Sequence, residues 1–349
     1  MQEESIIIQR YLQCVVPNYL WQHSKNEKEK KVWFKQAQLF QLTSKLSDSP
    51  DDLIEKLEKL KFKPCRPSMQ FSMGWVSPID EEDEPLVQTT HGRTMVCLQI
   101  EEKILPPIVI RQALAKKIKE IEKAESRKIS QKEKYSLKDE ITTTLLIRAF
   151  SKLTRVYAYM DTKNHWLVIG TINEKKIEQF LELFKKVIAG TGEVHPFELK
   201  KLSSAMTHWL KHKSYSSSFS IEKSCVLQDP NQTNRIIRCQ QQDLFASSIQ
   251  SLIKDGCEVK QLALTWHDHI DIVLSDNFAL SRIRFHDEIT AEASEMNAET
   301  VSQKFLVNFF VMTETFDGLF RSLLSELLGF QELKQRKTTS AIGKEKEPI

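Results

Sequence analysis

PPIVIRQALAKKIKEIEKAESRKISQKEKYSLKDEITTTLLIRAFSKLTRVYAYMDTKNHWLVIGTI, residues 106–172, is the stretch whose reading decides the fold. Two prolines open it, and proline suits a first helical turn because the N–H it lacks would have no partner there. Ile110, Leu114, Ile118 and Ile121 then recur at helical spacing, which predicts a helix over 106–128. On a wheel of 100° per residue, Lys119, Lys123 and Arg127 fall within about 60° of Lys116, and the apolar set falls opposite. The expectation is a helix that buries one face and offers a Lys/Arg stripe on the other. A second helix is expected over 131–150. Strands follow over 155–160 and 166–172, joined by a turn at Asp161-Thr162-Lys163-Asn164. A helix over 174–188 stops near Gly190 and Gly192.

Toward the N-terminus, Trp33 opens a compact pattern with a strand over 36–42. Ser49 as N-cap and Pro50 at the first position start a helix to about residue 61, carried by Leu53, Ile54, Leu57 and Leu60. Strands over 69–76 and 94–100 flank an acidic loop at 80–84. Toward the C-terminus come a short helix over 204–211 and a Ser-rich loop over 214–220. Strands are expected over 235–239, 259–266, 270–275 and 280–285, with a helix over 246–254 ending at Gly256. Two helices, 298–310 and 316–328, close the pattern, and the polar tail is expected to be disordered. Strands and helices mix without a βαβ rhythm, so the fold class is α+β.

Length and composition limit the function. The chain has 349 residues, 40% of them apolar and 28% charged, which describes an ordinary globular protein rather than a disordered or fibrous one. Its longest nearly apolar stretch, residues 305–312, is broken by Asn308 and is far short of the ~20 residues of a membrane span. No secretory pattern is visible, so a cytoplasmic setting without membrane contact is expected. The six cysteines (Cys14, Cys65, Cys97, Cys225, Cys239 and Cys257) form no CxxC pair, and are read as reduced.

Charge is unevenly placed. Residues 111–155 hold 13 Lys/Arg against 6 Asp/Glu, a local +7 in a chain of net +3, so the rest carries −4. A solvated helical face with internal pairs such as Glu120–Lys116 explains this, and so does a track for phosphates. A second basic set, Lys200, Lys201, Lys211 and Lys213, fits the track. Spacing leaves both readings open.

Chemistry is harder to find. His208 and His212 lie one helical turn apart, but the glutamate of a zincin helix is missing. On a strand, His267, His269 and Asp271 would share a face, where a divalent metal would support nuclease chemistry; the other reading is a strand edge or turn between Trp266 and Ile270 with polar residues facing water. No phosphate-cradling glycine loop and no G-x-S-x-G elbow occurs. The default is a binding protein with no catalytic residue, metal or cofactor.

Several blocks carry a resemblance. They are Trp33-Phe34-Lys35, Met73-Gly74-Trp75-Val76, Glu101-Glu102-Lys103-Ile104-Leu105-Pro106 and Gln112-Ala113-Leu114. Ser136-Leu137-Lys138-Asp139-Glu140 and Arg148-Ala149-Phe150-Ser151 follow, then Gln242-Asp243-Leu244, Leu262-Ala263-Leu264-Thr265-Trp266 and Phe309-Phe310-Val311-Met312-Thr313. In this order, over about residues 32–329, the chain resembles RdgC, the recombination-associated DNA-binding family of bacteria.

The resemblance implies a non-enzymatic, ring-shaped homodimer that encloses duplex DNA with little sequence preference. It implies binding of single strands too, a place in the nucleoid, and restraint of RecA by competition for DNA. Lys116, Lys119, Lys123 and Arg127 would then line or flank the hole, and Phe150 would anchor a dimer interface. Arg238, Gln241 and Gln242 would contact DNA, although family members tend to carry Lys where this chain has Gln240 and Gln241.

The organisation expected is a non-family extension at 1–31, a central α+β region at 32–104 and 152–200, and a basic helical arm at 105–151. A C-terminal α+β region at 201–330 and a disordered tail at 331–349 complete it. Members usually begin at the Trp-Phe motif, so translation is expected to start at Val32. Two other readings stay open: a metal-dependent nuclease using His267, His269 and Asp271, and a scaffold that acts on the recombinase without touching DNA.

Overall fold

A computed structural model describes residues 32–44, 50–81, 83–197, 202–296 and 298–343. Among these residues the strands are β1 (Ala37–Ser44), β2 (Phe71–Val76), β3 (Val87–Thr90), β4 (Arg93–Lys103), β5 (Ser151–Asp161), β6 (Trp166–Ile169), β7 (Gly192–Pro196), β8 (Phe219–Asp229), β9 (Gln232–Gln240), β10 (Glu258–Trp266), β11 (Ile270–Ser275) and β12 (Ala279–Phe285). The helices are α1 (Pro50–Glu58), α2 (Pro107–Glu125), α3 (Gln131–Arg148), α4 (Glu174–Val187), α5 (Leu202–His212), α6 (Ser247–Lys254), α7 (Asp287–Glu295) and α8 (Val301–Gly343). The strands form one open antiparallel sheet in the order β2-β4-β5-β6-β1-β12-β11-β10-β8-β9, with β3 added on β4 and β7 on β1. Two pairs, Ala37 with Leu280 and Gln38 with Ala279, join its N- and C-terminal halves.

Period-2 alternation divides the buried side chains between two cores. In β6, Trp166 and Val168 enter one core while Leu167 and Ile169 enter the other. In β4, Met95 faces the first and Val96, Leu98 and Ile100 the second. Helices α1 and α4 cover the second core, where Trp75 meets the Phe180 ring edge-on at 5.4 Å. Asn173 caps α4 by accepting the Lys176 N–H at 3.1 Å. Helices α5, α6 and α8 cover the first core, α8 through Phe305, Phe309, Met312, Phe316, Phe320 and Leu323, spaced three and four apart.

A buried ion pair ties α8 to the sheet. Arg93, nearly sealed from solvent, donates to Asp161 at 3.1 Å and also to Glu314, while Asn164 bridges Asp161 and Asp317. Burying these charges is tolerable because each has opposite charge or hydrogen bonds around it.

The α+β class holds, and β11 has the expected bounds. Strands β3, β7 and β8 and helix α7 were not foreseen. β8 is polar along much of its length and bulged against β10, so it lacks clean alternation. The two expected C-terminal helices are one, α8: the Thr313 and Thr315 hydroxyls donate back to Phe309 and Val311 carbonyls, which keeps polar residues inside a helix. The expected disordered tail is helical through Gly343, and 344–349 lie outside the described residues. Ser49, Lys200, Lys201, Cys14 and the 1–31 extension also lie outside them. Helix α2 was expected to bury a face, yet it buries no residue; Ile110, Leu114, Ile118 and Ile121 are half-covered.

Candidate nucleic-acid interface

Helices α2 and α3 pack on each other as a hairpin between β4 and β5. Ser126, in the left-handed region at φ 52°, ends α2, and Ser130 starts α3. The start is a full capping box: the Ser130 hydroxyl accepts the Glu133 N–H, and the Glu133 carboxylate accepts the Ser130 N–H. Glu133 also receives two bonds from the Arg127 guanidinium, at 2.7 and 3.1 Å. That guanidinium, then Ser130, holds the Glu133 carboxyl down at about 2.

The expected stripe is therefore shorter than the wheel suggests. Lys116, Lys119 and Lys123 are exposed along α2 and form no ion pair among the described residues. Arg127 lies past the helix end and is neutralised by Glu125 and Glu133. It braces the turn instead of extending the stripe, which the wheel missed because it carried helical geometry beyond Ser126.

Phe150 lies between α3 and β5 and is 85% exposed. Its carbonyl accepts the Ile104 N–H at 2.7 Å, which joins the two roots of the hairpin. Ile104, Ile108, Ile147 and Leu153 are exposed as well. So many large apolar side chains in water at one place mark a contact surface. Only Phe150 was singled out from sequence; the neighbours were legible as apolar residues breaking the polar pattern of the hairpin's ends.

The other candidates sit at the far end of the sheet. Arg238 is exposed on β9 opposite Val226, and Gln240 pairs with Ser224. Gln241 takes a left-handed φ of 52°, which turns the chain out of β9. The Gln242 N–H then donates to the Lys223 carbonyl at 3.2 Å, and both Gln241 and Gln242 are exposed. The two candidate groups thus occupy opposite ends of the strand order and are not brought together within one chain.

The histidine–carboxylate set is not gathered. His267 and Asp268, at φ 47° and 55°, make the tight turn between β10 and β11 and are not on a strand. Asp271 instead accepts from the Thr265 hydroxyl at 2.8 Å and pairs with His286 at 2.9 Å. Among the described residues no three His, Cys, Asp or Glu side chains are placed to hold a metal ion. The His208 and His212 rings lie 4.6 Å apart on α5. Cys225 and Cys239 are a directly opposed pair on β8 and β9, and burial pushes the Cys225 thiol up to about 12. No helix among the described residues is long and apolar enough to cross a membrane.

Comparison with known proteins agrees with this architecture in extent. The family model described as "Putative exonuclease, RdgC" matches residues 32–330. Relatives named "Recombination-associated protein RdgC" from Yersinia enterocolitica and Yersinia pestis are each 33% identical over 299 residues, covering 85% of this chain and 98% of the relative. The same figures hold for the relative of that name from Yersinia pseudotuberculosis.

Proposed function

Because the chain belongs to the RdgC family, we propose that it acts in recombination as a DNA-binding homodimer that encloses duplex DNA. The observation that carries the reading is the row of three exposed lysines on α2, Lys116, Lys119 and Lys123, which form no ion pair among the described residues. Ammonium groups with no internal carboxylate neutralise backbone phosphates, and phosphate contacts hold DNA without reading its sequence. The Phe150 neighbourhood supplies a self-contact: a second copy covers the apolar side chains that one copy leaves in water. DNA held inside such a dimer is withheld from RecA, which is how binding alone modulates recombination. Single strands offer the same phosphates, and the nucleoid is where the protein would reside. The role involves no chemical step and no cofactor.

The test is fluorescence anisotropy on several unrelated duplexes across a salt series. The reading expects similar affinities for all of them and log K falling by about 0.9 per log salt for each phosphate neutralised. Charge reversal at Lys116, Lys119 and Lys123 together should weaken every duplex alike. A duplex degraded in Mg²⁺ or Mn²⁺ would replace the reading with a nuclease. Capture of RecA in nuclease-treated extract, with no DNA binding by the pure protein, would replace it with a scaffold.

A further inference from the structure

We infer that Cys225 and Cys239 form a redox-sensitive modification site: hydrogen peroxide converts the two thiols into a disulfide that fastens the edge strand β9 to β8. The two residues are direct partners across the antiparallel pair, and the register is regular from Ser224 with Gln240 to Gln228 with Ile236. Directly opposed residues point to the same face with Cα atoms about 4.5 or 5.5 Å apart, and both spacings lie within the reach of a disulfide. Both side chains are free thiols buried in the first core, 3% and 4% exposed. The bridge therefore needs rotation of two side chains and no movement of the backbone.

Position in the sheet decides when the site reacts. With β9 closed the pair is inert. Burial, and then the Cys239 sulfur to which it donates, push the Cys225 thiol up to about 12, so almost no thiolate is present at neutral pH. Strand β9 is last in the strand order and, among the described residues, pairs only with β8. An edge strand opens without breaking the rest of its sheet, and Arg238 and Gln240, on either side of Cys239, already face water. Opening brings Cys239 into solvent, where an exposed thiol supplies the thiolate that reacts. Its Sγ attacks one oxygen of hydrogen peroxide: an S–O bond forms, the O–O bond breaks, and the departing hydroxide takes up the thiol proton as water. Closure of β9 returns this sulfenic acid to Cys225. The Cys225 Sγ attacks the Cys239 Sγ, an S–S bond forms, the S–O bond breaks, and a second water leaves with the Cys225 proton. Two electrons pass from the sulfurs to the peroxide, and a dithiol reverses the change by exchange.

The experiment treats the full-length protein with hydrogen peroxide, alkylates the remaining thiols and digests with trypsin under non-reducing conditions. Arg235 and Arg238 lie between the two cysteines, so the crosslink joins peptides 224–235 and 239–254. Mass spectrometry should find that pair, lighter by two hydrogens than the sum of its parts, and dithiothreitol should release it. In Cys225→Ala the second step is blocked, and dimedone should trap a sulfenic acid on Cys239. The crosslink closes a loop of 15 residues, 225–239, so amide exchange in β9 should slow on the order of 100-fold in the oxidised protein and stay unchanged in peroxide-treated Cys225→Ala. Cys65, half-buried and donating to the Met69 carbonyl at 3.2 Å, reports that the oxidant has reached the protein. Oxidation of Cys65 that leaves Cys225 and Cys239 as thiols overturns the inference, and so does a disulfide from either of them to another cysteine in place of this one. None of these readouts involves DNA, so the inference and the proposed function fail separately.

Discussion

Replacing Phe150 by alanine separates its role at a contact surface from a role in the chain's own core. The side chain is 85% exposed, so its loss removes almost no burial within one chain, and folding stability should change by no more than about 0.5 kcal/mol. Covering a phenylalanine completely is worth about 2 kcal/mol relative to leaving it in water. A two-fold contact contains the residue twice, so the proposed dimer should lose about 4 kcal/mol, a Kd weaker by about 1,000-fold. Sedimentation equilibrium over a wide concentration range reads that shift, and a denaturant melt at a concentration where parent and variant are both monomeric reads the stability of the single chain. Two results refute the reasoning: a dimer constant within twofold of the parent's, or a melt destabilised by several kcal/mol, which would make Phe150 a core residue after all.

Other perturbations probe the frame that presents these surfaces. Arg93→Ala leaves Asp161 buried without its cation and should cost about 3–5 kcal/mol in a urea melt. Gly74→Ala would put a methyl 2.4 Å from the Phe62 Cα, against backbone that hydrogen-bonds Trp75 on both sides; overpacking of this kind costs about 1–3 kcal/mol, readable as a lower thermal midpoint. Glu133→Gln tests the hairpin turn through pH. The native carboxyl titrates at about 2, below the ordinary value near 4.3 of an unfolded chain, so its contribution is full above the latter and lost as pH falls through the former. Amide exchange at the start of α3 should therefore differ between parent and variant at pH 5 and converge toward pH 2; a constant difference across that range would contradict the assignment.

Much of the fold was legible because its elements obey simple periods. α4 carries Phe180, Leu183, Phe184 and Val187 at helical spacing behind an asparagine cap, and β11 alternates cleanly. β8 hid because its Ser- and Glu-containing sequence is bulged and held by β10 and β9 rather than by its own pattern. α8 was broken in two because threonines favour helix ends, and only the surrounding core keeps them inside. At the candidate site, the lysines of α2 followed from the wheel, whereas the withdrawal of Arg127 depends on a left-handed Ser126 that no period announces. The seating of Lys213 on the Phe245 ring and the bond from the Gln242 N–H to the Lys223 carbonyl are tertiary contacts that could not have been read from spacing. The His267–Asp271 metal set required a strand through 267–269, and the turn that the sequence offered as the other reading stands there instead.

Binding of a labelled duplex, linear against covalently closed circular, over a series of salt concentrations tests the central claim most directly. The account predicts sequence-independent binding that weakens steeply with salt, with preformed complexes on circles surviving high salt better than those on open-ended DNA. No binding to either form would contradict it.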